Sequence, residues 1–324
     1  MGKVLFLRKK MQGENSIEEI AFNLVAAIPD LKLLELPEYG TSLKGILKNI
    51  LFVRRNSSDI NHFFSSSDTY LIPFCTGKKI VTWHDVGTDF YTRSKTKRWI
   101  KKYLLRYLPM LFCDVITCIS SSTYNEVLSE FPKVKKKLTI IPNPYNPVFK
   151  RTEQSITEIP LILHIGTGSH KNLERVIEAL SDIKCQLFIV GRLSSVQLTL
   201  LRKYKIDYYN EFDVPFSRIV ELYKQCTIVS FPSLYEGFGM PVIEANAVGR
   251  PILTSKVGAI PEVAQEAAYY VDPHSVVEIK AAFNFLLSHK EVCDDLIQKG
   301  LCNAEKYSIE KIAWQYQKIY TQLL

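Results

Sequence analysis

The 324-residue sequence has no CxxC pair, no DxD pair of aspartates, no low-complexity segment and no short-period repeat. Each absence narrows the field. Without a DxD pair, a diphosphate held through a metal ion is not suggested, and neither a metal nor another cofactor is expected. Seven cysteines, an odd number without CxxC spacing, argue against a disulfide framework and for reduced thiols in a cytoplasmic protein. Cys113 and Cys118 flank a strand-like run and are expected in the core. No apolar run approaches the roughly 18 residues needed to span a bilayer. The start, MGKVLFLRKK, has four consecutive apolar residues before charge returns, which argues against a signal peptide. No nucleic-acid recognition motif accompanies the basic residues, so nucleic acid is not expected as a partner.

What is present is an ordinary globular composition, 47% apolar and 23% charged. The length exceeds the usual size of a single core, so two domains are expected. The net charge of +8 is unevenly spread: residues 1–150 carry 23 Lys and Arg against 13 Asp and Glu, and the remainder 18 against 20. Much of the excess lies in residues 91–112, YTRSKTKRWIKKYLLRYLPMLF, where seven basic residues have no acidic neighbour. Trp99, Tyr103, Leu104, Tyr107 and Leu108 lie among them, as in a helix resting on an anionic membrane; a solvated helix with one core-facing stripe fits equally.

The first half alternates apolar strand-like runs with helical stretches. VLFL (4–7), LKLLEL (31–36), INHFF (60–64), KIVTWH (79–84), DVITCI (114–119) and KKLTIIPNP (136–144) read as strands. Ser16 followed by Glu19 has the form of a capping box, and SSSTYNEVLSEF (120–131) reads as a helix. RTEQSITEIP (151–160) is the best linker. The pattern then restarts with LILHIG (161–166), the helix NLERVIEAL (172–180), and strands QLFIVG (186–191), CTIVSF (226–231) and PILTS (251–255). Strands alternating with amphipathic helices imply two α/β units in tandem, each with a parallel sheet covered on both faces.

The stretch FPSLYEGFGMPVIEANAVG (231–249) places Glu236 and Glu244 among glycine, proline and apolar residues. Buried carboxylates are costly without partners. CTIVSF delivers the chain to the end of a sheet, where ligands of open α/β folds bind. Gly237 and Gly239 allow a tight turn and close approach. Pro241 suits a first helical position, so a helix beginning near Met240 would aim free N–H groups at an anion such as a diphosphate.

EGFGMPVIE resembles the E-x7-E motif of the retaining family-4 glycosyltransferases, whose GT-B fold has two Rossmann-like domains facing each other across a cleft. FPSLYEGFGMPVIEANAVGRPILTSKVGAIPEV, LHIGTGSHKNLERVIEAL, VTWHDV and LTIIPNP are similar to further family segments, and the likeness covers most of residues 70–320. The resemblance implies that Glu244 accepts hydrogen bonds from the nucleotide ribose and Glu236 from hydroxyls of the transferred sugar. Phe238, Gly239 and Met240, after Gly237, would offer backbone N–H groups to sugar and diphosphate. Lys171 would neutralise the leaving diphosphate beside the strand-ending Gly166, and His84 would contact the sugar near its 6-hydroxyl. No protein nucleophile is implied, and the leaving phosphate would serve as the base. The family usually has an Arg after that strand-ending glycine, where this chain has Thr167; His170 or Arg192 would then substitute.

Plainer readings stand beside these. A Glu in a first helical turn often only caps it. GTGSHK lacks the third glycine of GxGxxG. Lys171 at a helix opening can be a solvated surface lysine, and His84 can pair with Asp85. His164 is expected to be a core residue, and His62 is left open. The resulting expectation is an acceptor-binding domain at 1–150, completed by helix 309–324, and a nucleotide-sugar-binding domain at 151–307. The chain would be a retaining hexosyltransferase of mannose or glucose type, using a nucleotide-diphosphate sugar and a glycan or lipid-linked acceptor in cell-surface polysaccharide synthesis. It would be cytoplasmic, or peripheral on an anionic membrane through 91–112. The alternatives are a degenerate nucleotide-sugar-binding subunit and an epimerase or hydrolase of the same fold.

Overall fold

The computed structural model describes residues 2–9, 16–39, 42–84, 101–153 and 158–324. The chain divides into two compact units. One comprises Met1–Pro144 with Ile309–Leu324, the other Tyr145–Ser308. The division falls at 144/145 rather than 150/151, because Tyr145 already donates its N–H to the Tyr307 carbonyl at 3.1 Å. The polar stretch after it is likewise tied down: the buried Arg250 donates to the carbonyl of Thr152 at 2.9 Å and to that of Glu153 at 3.3 Å.

The first unit holds six parallel strands: β1 (Lys3–Leu7), β2 (Leu31–Glu35), β3 (Ile60–Phe63), β4 (Lys78–Trp83), β5 (Val115–Cys118) and β6 (Leu138–Ile140). They lie in the order β2-β1-β3-β4-β5-β6. β3 is buried at every position and β1 at four of five, as strands covered on both faces require; on β3 the polar Asn61 and His62 are buried with Ile60 and Phe63. Helix Ile309–Leu323 closes this unit with polar contacts. The buried His62 on β3 lies 2.7 Å from both the Tyr320 hydroxyl and the Thr82 hydroxyl, and Thr82 lies 3.3 Å from the Tyr316 hydroxyl. His62, undecided from sequence, is thus a packed and hydrogen-bonded residue, and burial lowers its pKa to about 3.

The second unit has β7 (Leu161–Ile165), β8 (Gln186–Val190), β9 (Tyr208–Glu211), β10 (Ile228–Phe231), β11 (Ile252–Ser255) and β12 (Tyr269–Val271). Their order is β12-β11-β10-β7-β8-β9, all parallel. The first strand of the unit therefore lies between the second and the fourth, so the connections leave β7 and β10 in opposite directions. Such a reversal is the place, beyond the carboxyl ends of the strands, where open α/β sheets bind ligands. His164, the penultimate residue of β7, is fully buried, with Nδ1 3.2 Å from the Ser230 hydroxyl. β9 and β12 are short edge strands that the apolar runs did not reveal.

Candidate active site

The loop after β7 and the loop after β10 meet at this reversal. Gly166 adopts φ +94°, and a Cβ there would stand 3.0 Å from Cγ of Lys171, so the lysine stem lies across the glycine. The residues Ser169–Lys171 form a single 3-10 turn. Asn172 follows with φ 65°, and helix Leu173–Ala179 begins only after it. Lys171 therefore does not open that helix, as the sequence suggested; it sits one turn earlier. Asn172 is the buckle of the loop. Its side-chain amide donates to the carbonyls of Pro232, at 2.9 Å, and Pro273, at 2.7 Å, while its Oδ1 accepts from Arg175 at 2.8 Å. The Leu234 N–H donates to the His170 carbonyl at 2.7 Å, fastening the two loops directly.

This geometry delivers Lys171 to Glu236. The ammonium donates to Oε1 at 2.7 Å, with the side chains only 19% and 12% exposed. Lys171 Nζ also lies 4.8 Å from the centre of the Phe231 ring. The Glu236 backbone is fixed as well. Its carbonyl accepts from the Ala259 N–H at 3.2 Å and lies 2.2 Å from where a Cβ on Gly258 (φ +53°) would be. Only glycine fits at 258 without moving the Glu236 peptide.

Gly239, with φ +105°, turns the chain into helix Met240–Val248. Pro241 sits in the first turn, where its missing N–H removes nothing. Phe238 points its ring inward, edge-on to Tyr307 with centroids 5.8 Å apart. Glu244 lies further along the helix, and its Oε2 accepts from the Tyr223 hydroxyl at 2.7 Å. Burial raises the Glu244 pKa to about 7, opposed by the Tyr223 hydrogen bond and the positive charge of Lys171. Burial, followed by the charge of Glu244, holds the Tyr223 phenol well above its ordinary range.

Both carboxylates that looked unpartnered in the sequence therefore have protein partners. The sequence points to Lys171 but not to its pairing with Glu236. Tyr223 was missed altogether, because a tyrosine in the amphipathic helix Phe216–Gln225 carries no signal that its hydroxyl meets a carboxylate.

Thr167 is directed to the neighbouring strand end. Its hydroxyl donates to the Arg192 carbonyl at 2.8 Å, and its side chain covers Gly191, where a Cβ would meet it at 2.9 Å. The Arg192 guanidinium is paired with Asp213 at 2.9 Å, is 74% exposed, and lies 4.7 Å from the Phe212 ring centre. His84 belongs to the other unit, just beyond β4. Its Nε2 lies 3.0 Å from the Phe64 carbonyl. A carbonyl only accepts, so Nε2 carries the proton and Nδ1 is left as an acceptor. Burial lowers the His84 pKa to about 4, so the ring is neutral near pH 7. Asp85, proposed as its pair, lies outside the described residues, as do residues 91–100 of the basic segment. Of that segment's remaining cations, Arg106 is buried, with its guanidinium 5.5 Å from the Trp83 ring centre.

Residues 148–301 match the family model described as "Glycosyl transferases group 1". The O-antigen chain mannosyltransferase RfbU of Salmonella typhimurium is 25% identical over 206 residues, which cover 60% of this chain and 56% of that protein. The MMP alpha-(1->4)-mannosyltransferase of Mycolicibacterium hassiacum is 23% identical over 253 residues, 72% of this chain and 60% of that one. The matched segments thus span less than two thirds of either relative. Among solved structures, Anabaena Alr3699/HepE in complex with UDP superposes with a TM-score of 0.79 at 13% identity, over 99% of this chain and 100% of that chain. At that identity the likeness is one of fold, an α/β architecture of the GT-B glycosyltransferase type. Residues 148–301, just under half of the chain, are thus similar to the group 1 glycosyl transferases.

Proposed function

We propose that the protein is a retaining hexosyltransferase that moves a mannose-type sugar from a nucleotide-diphosphate sugar to a glycan or lipid-linked acceptor in the synthesis of a surface polysaccharide. The observation that carries this reading is the meeting of Lys171, Glu236 and the start of helix Met240–Val248 beside the β7/β10 reversal. A diphosphate entering there would draw the Lys171 ammonium from Glu236 and meet the free N–H groups of Gly239, Met240 and the first helical turn. Glu236, released, would accept hydrogen bonds from hydroxyls of the transferred sugar. Glu244 would accept them from the ribose, with Tyr223 holding its other face.

These groups would bind, orient and neutralise charge. None is set up as a nucleophile, so the developing negative charge on the leaving phosphate would be countered by Lys171 and backbone dipoles. His84, with Nδ1 unprotonated, would accept from a sugar hydroxyl. The mannose-type donor is suggested by the two mannosyltransferases the chain resembles, and a nucleoside diphosphate by the UDP in the Anabaena complex. The cations of the first half favour an acceptor that itself carries phosphate. Thr167 leaves the cation after Gly166 absent, so Lys171 would carry most of the diphosphate neutralisation in this loop.

A screen of UDP-, GDP- and ADP-sugars by thermal shift, followed by transfer assays with the hit, tests the proposal. Lys171→Gln should weaken donor binding tenfold or more, the loss expected for a hydrogen bond to a charged group of about 1.5–3 kcal/mol. The reading fails if no nucleotide sugar raises the melting temperature, or if the product has inverted anomeric configuration. Turnover of donor without any acceptor would favour an epimerase or hydrolase. Binding that Glu236→Ala disturbs, with no transfer under any condition, would favour a nucleotide-sugar-binding subunit.

A further inference from the structure

Helix Leu43–Asn56, LKGILKNILFVRRN, turns its small and polar residues inward. Gly45, Asn49 and Val53, four apart, are its buried positions. Asn49 is bound to the backbone of Glu38, accepting from its N–H at 3.0 Å and donating to its carbonyl at 2.9 Å. Two residues along a helix correspond to a rotation of about 200°. Leu43, Leu47 and Leu51, offset by two from the buried set, therefore face away from the core, and they are 82%, 61% and 52% exposed. The other exposed positions of the helix are Lys44, Lys48, Arg54 and Arg55. The outward face thus consists of three aligned leucines and four cations, with no carboxylate of its own. Glu38 approaches it from the preceding loop and is paired with Lys48 at 2.6 Å.

We propose that this face seats the protein on a bilayer that carries anionic headgroups, with the leucines in the acyl boundary and the cations among the phosphates. An amphipathic helix lying in an interface has this composition: apolar residues in one row, Lys and Arg beside them. Single exposed leucines are common on protein surfaces, but three in one helical row form a continuous stripe. A second copy of the chain is a poor occupant, because stripe-to-stripe pairing would bring four cations from each side together without compensating acids. The surroundings extend the same surface. The turn Ser66–Phe74 packs against this helix and against the segment Lys101–Met110, and Phe74, Leu104, Leu108 and Phe112 are also exposed around it.

Vesicle co-sedimentation tests the proposal on the intact chain, without donor or acceptor, so its failure leaves the transferase reading untouched. Wild type should pellet with phosphatidylglycerol-rich vesicles at low salt and not with phosphatidylcholine alone. The triple variant Leu43→Ser, Leu47→Ser, Leu51→Ser should lose at least tenfold in partitioning. Lys44→Glu with Arg55→Glu should abolish the preference for anionic lipid. All five positions are exposed, so an unchanged melting temperature would show that folding is intact. Lack of binding by wild type, or undiminished binding by a folded triple variant, overturns the proposal. So does a wild-type dimer that the triple variant converts to monomer while vesicle binding stays absent.

Discussion

Glu244→Gln should make the ligand-free protein more stable above pH 7 and nearly neutral in effect toward pH 4.5. The cause is visible in the site: Glu244 is partly buried, and burial lifts its pKa from 4.5 to about 7 against the Tyr223 hydrogen bond and the charge of Lys171. Between those pH values the folded protein retains a proton that the unfolded chain has lost. Stability through this group therefore falls as pH rises from 4.5 to 7, and the penalty is complete above 7. The interval from 4.5 to about 7, at about 1.36 kcal/mol per pH unit, gives a penalty of about 3 kcal/mol, which residual solvent contact reduces toward about 2. Glutamine cannot ionise, yet its side-chain oxygen can still accept from Tyr223.

In a unit of this size about 1 kcal/mol moves the midpoint by about 2–4 °C, so the variant should melt about 4–12 °C higher at pH 8, with a much smaller gain at pH 5. Calorimetry is the suitable assay, because Trp83, Trp99 and Trp314 all belong to the other unit and would report its unfolding instead. A difference between variant and wild type that is the same at both pH values would refute the reasoning. The same substitution should weaken donor binding, since it removes the charge that the proposed function assigns to ribose recognition. Stability gained at the expense of binding is the pattern expected of a functional carboxylate.

Arg192→Ala removes an exposed ion pair with Asp213 and should change stability by no more than about 0.5 kcal/mol; donor affinity that falls tenfold or more by titration would show Arg192 standing in for the cation absent at Thr167, and unchanged affinity would remove it from the site. Gly258→Ala forces a Cβ to within 2.2 Å of the Glu236 carbonyl at a positive φ whose strain alone costs about 1–3 kcal/mol. The Glu236 loop should shift, with a lower melting temperature and a lost donor-induced thermal shift; an unchanged donor response would show that Glu236 is not held through this contact.

The two parallel sheets were legible because their central strands are buried on both faces and read as largely apolar runs, from VLFL at Lys3–Leu7 to CTIVSF at Ile228–Phe231. The edge strands Tyr208–Glu211 and Tyr269–Val271 were not legible, since YYNE and YYV lack that apolar character. Helix Leu43–Asn56 was not read from the sequence; its core side is formed by Gly45, Asn49 and Val53, and its leucines face outward. At the site, the glycine turn, Pro241 and the start of helix Met240–Val248 were readable, because each follows from local backbone chemistry. Partners were not. Lys171 and Glu236 are 65 residues apart, and only the strand order that sets β7 beside β10 brings them together. Tyr223 and Glu244, 21 residues apart, lie on two helices whose packing no local pattern encodes.

These pairings change how the ligand-free site should be understood. A buried carboxylate without a partner would be protonated or would destabilise the fold. Here each of the two has found one group, and the two solutions differ. Glu236 is matched by a full opposite charge, so its pair can persist in a mostly buried place and can be exchanged for another charge-balanced arrangement. A diphosphate for Lys171 and sugar hydroxyls for Glu236 would be such an arrangement, with little change in net solvation. Among the described residues, Glu244 has a neutral phenol as its hydrogen-bond partner, with the charge of Lys171 acting on it without a direct pair; this supports a carboxylate but does not neutralise it. Its ionised form therefore becomes comfortable only when further hydroxyls reach its other oxygen. On this argument the Lys171–Glu236 pair must open for a donor to enter, whereas the Tyr223–Glu244 contact stays closed and fixes the direction from which hydroxyls approach. The first contact would govern entry of the diphosphate, and the second the orientation of what is attached to it.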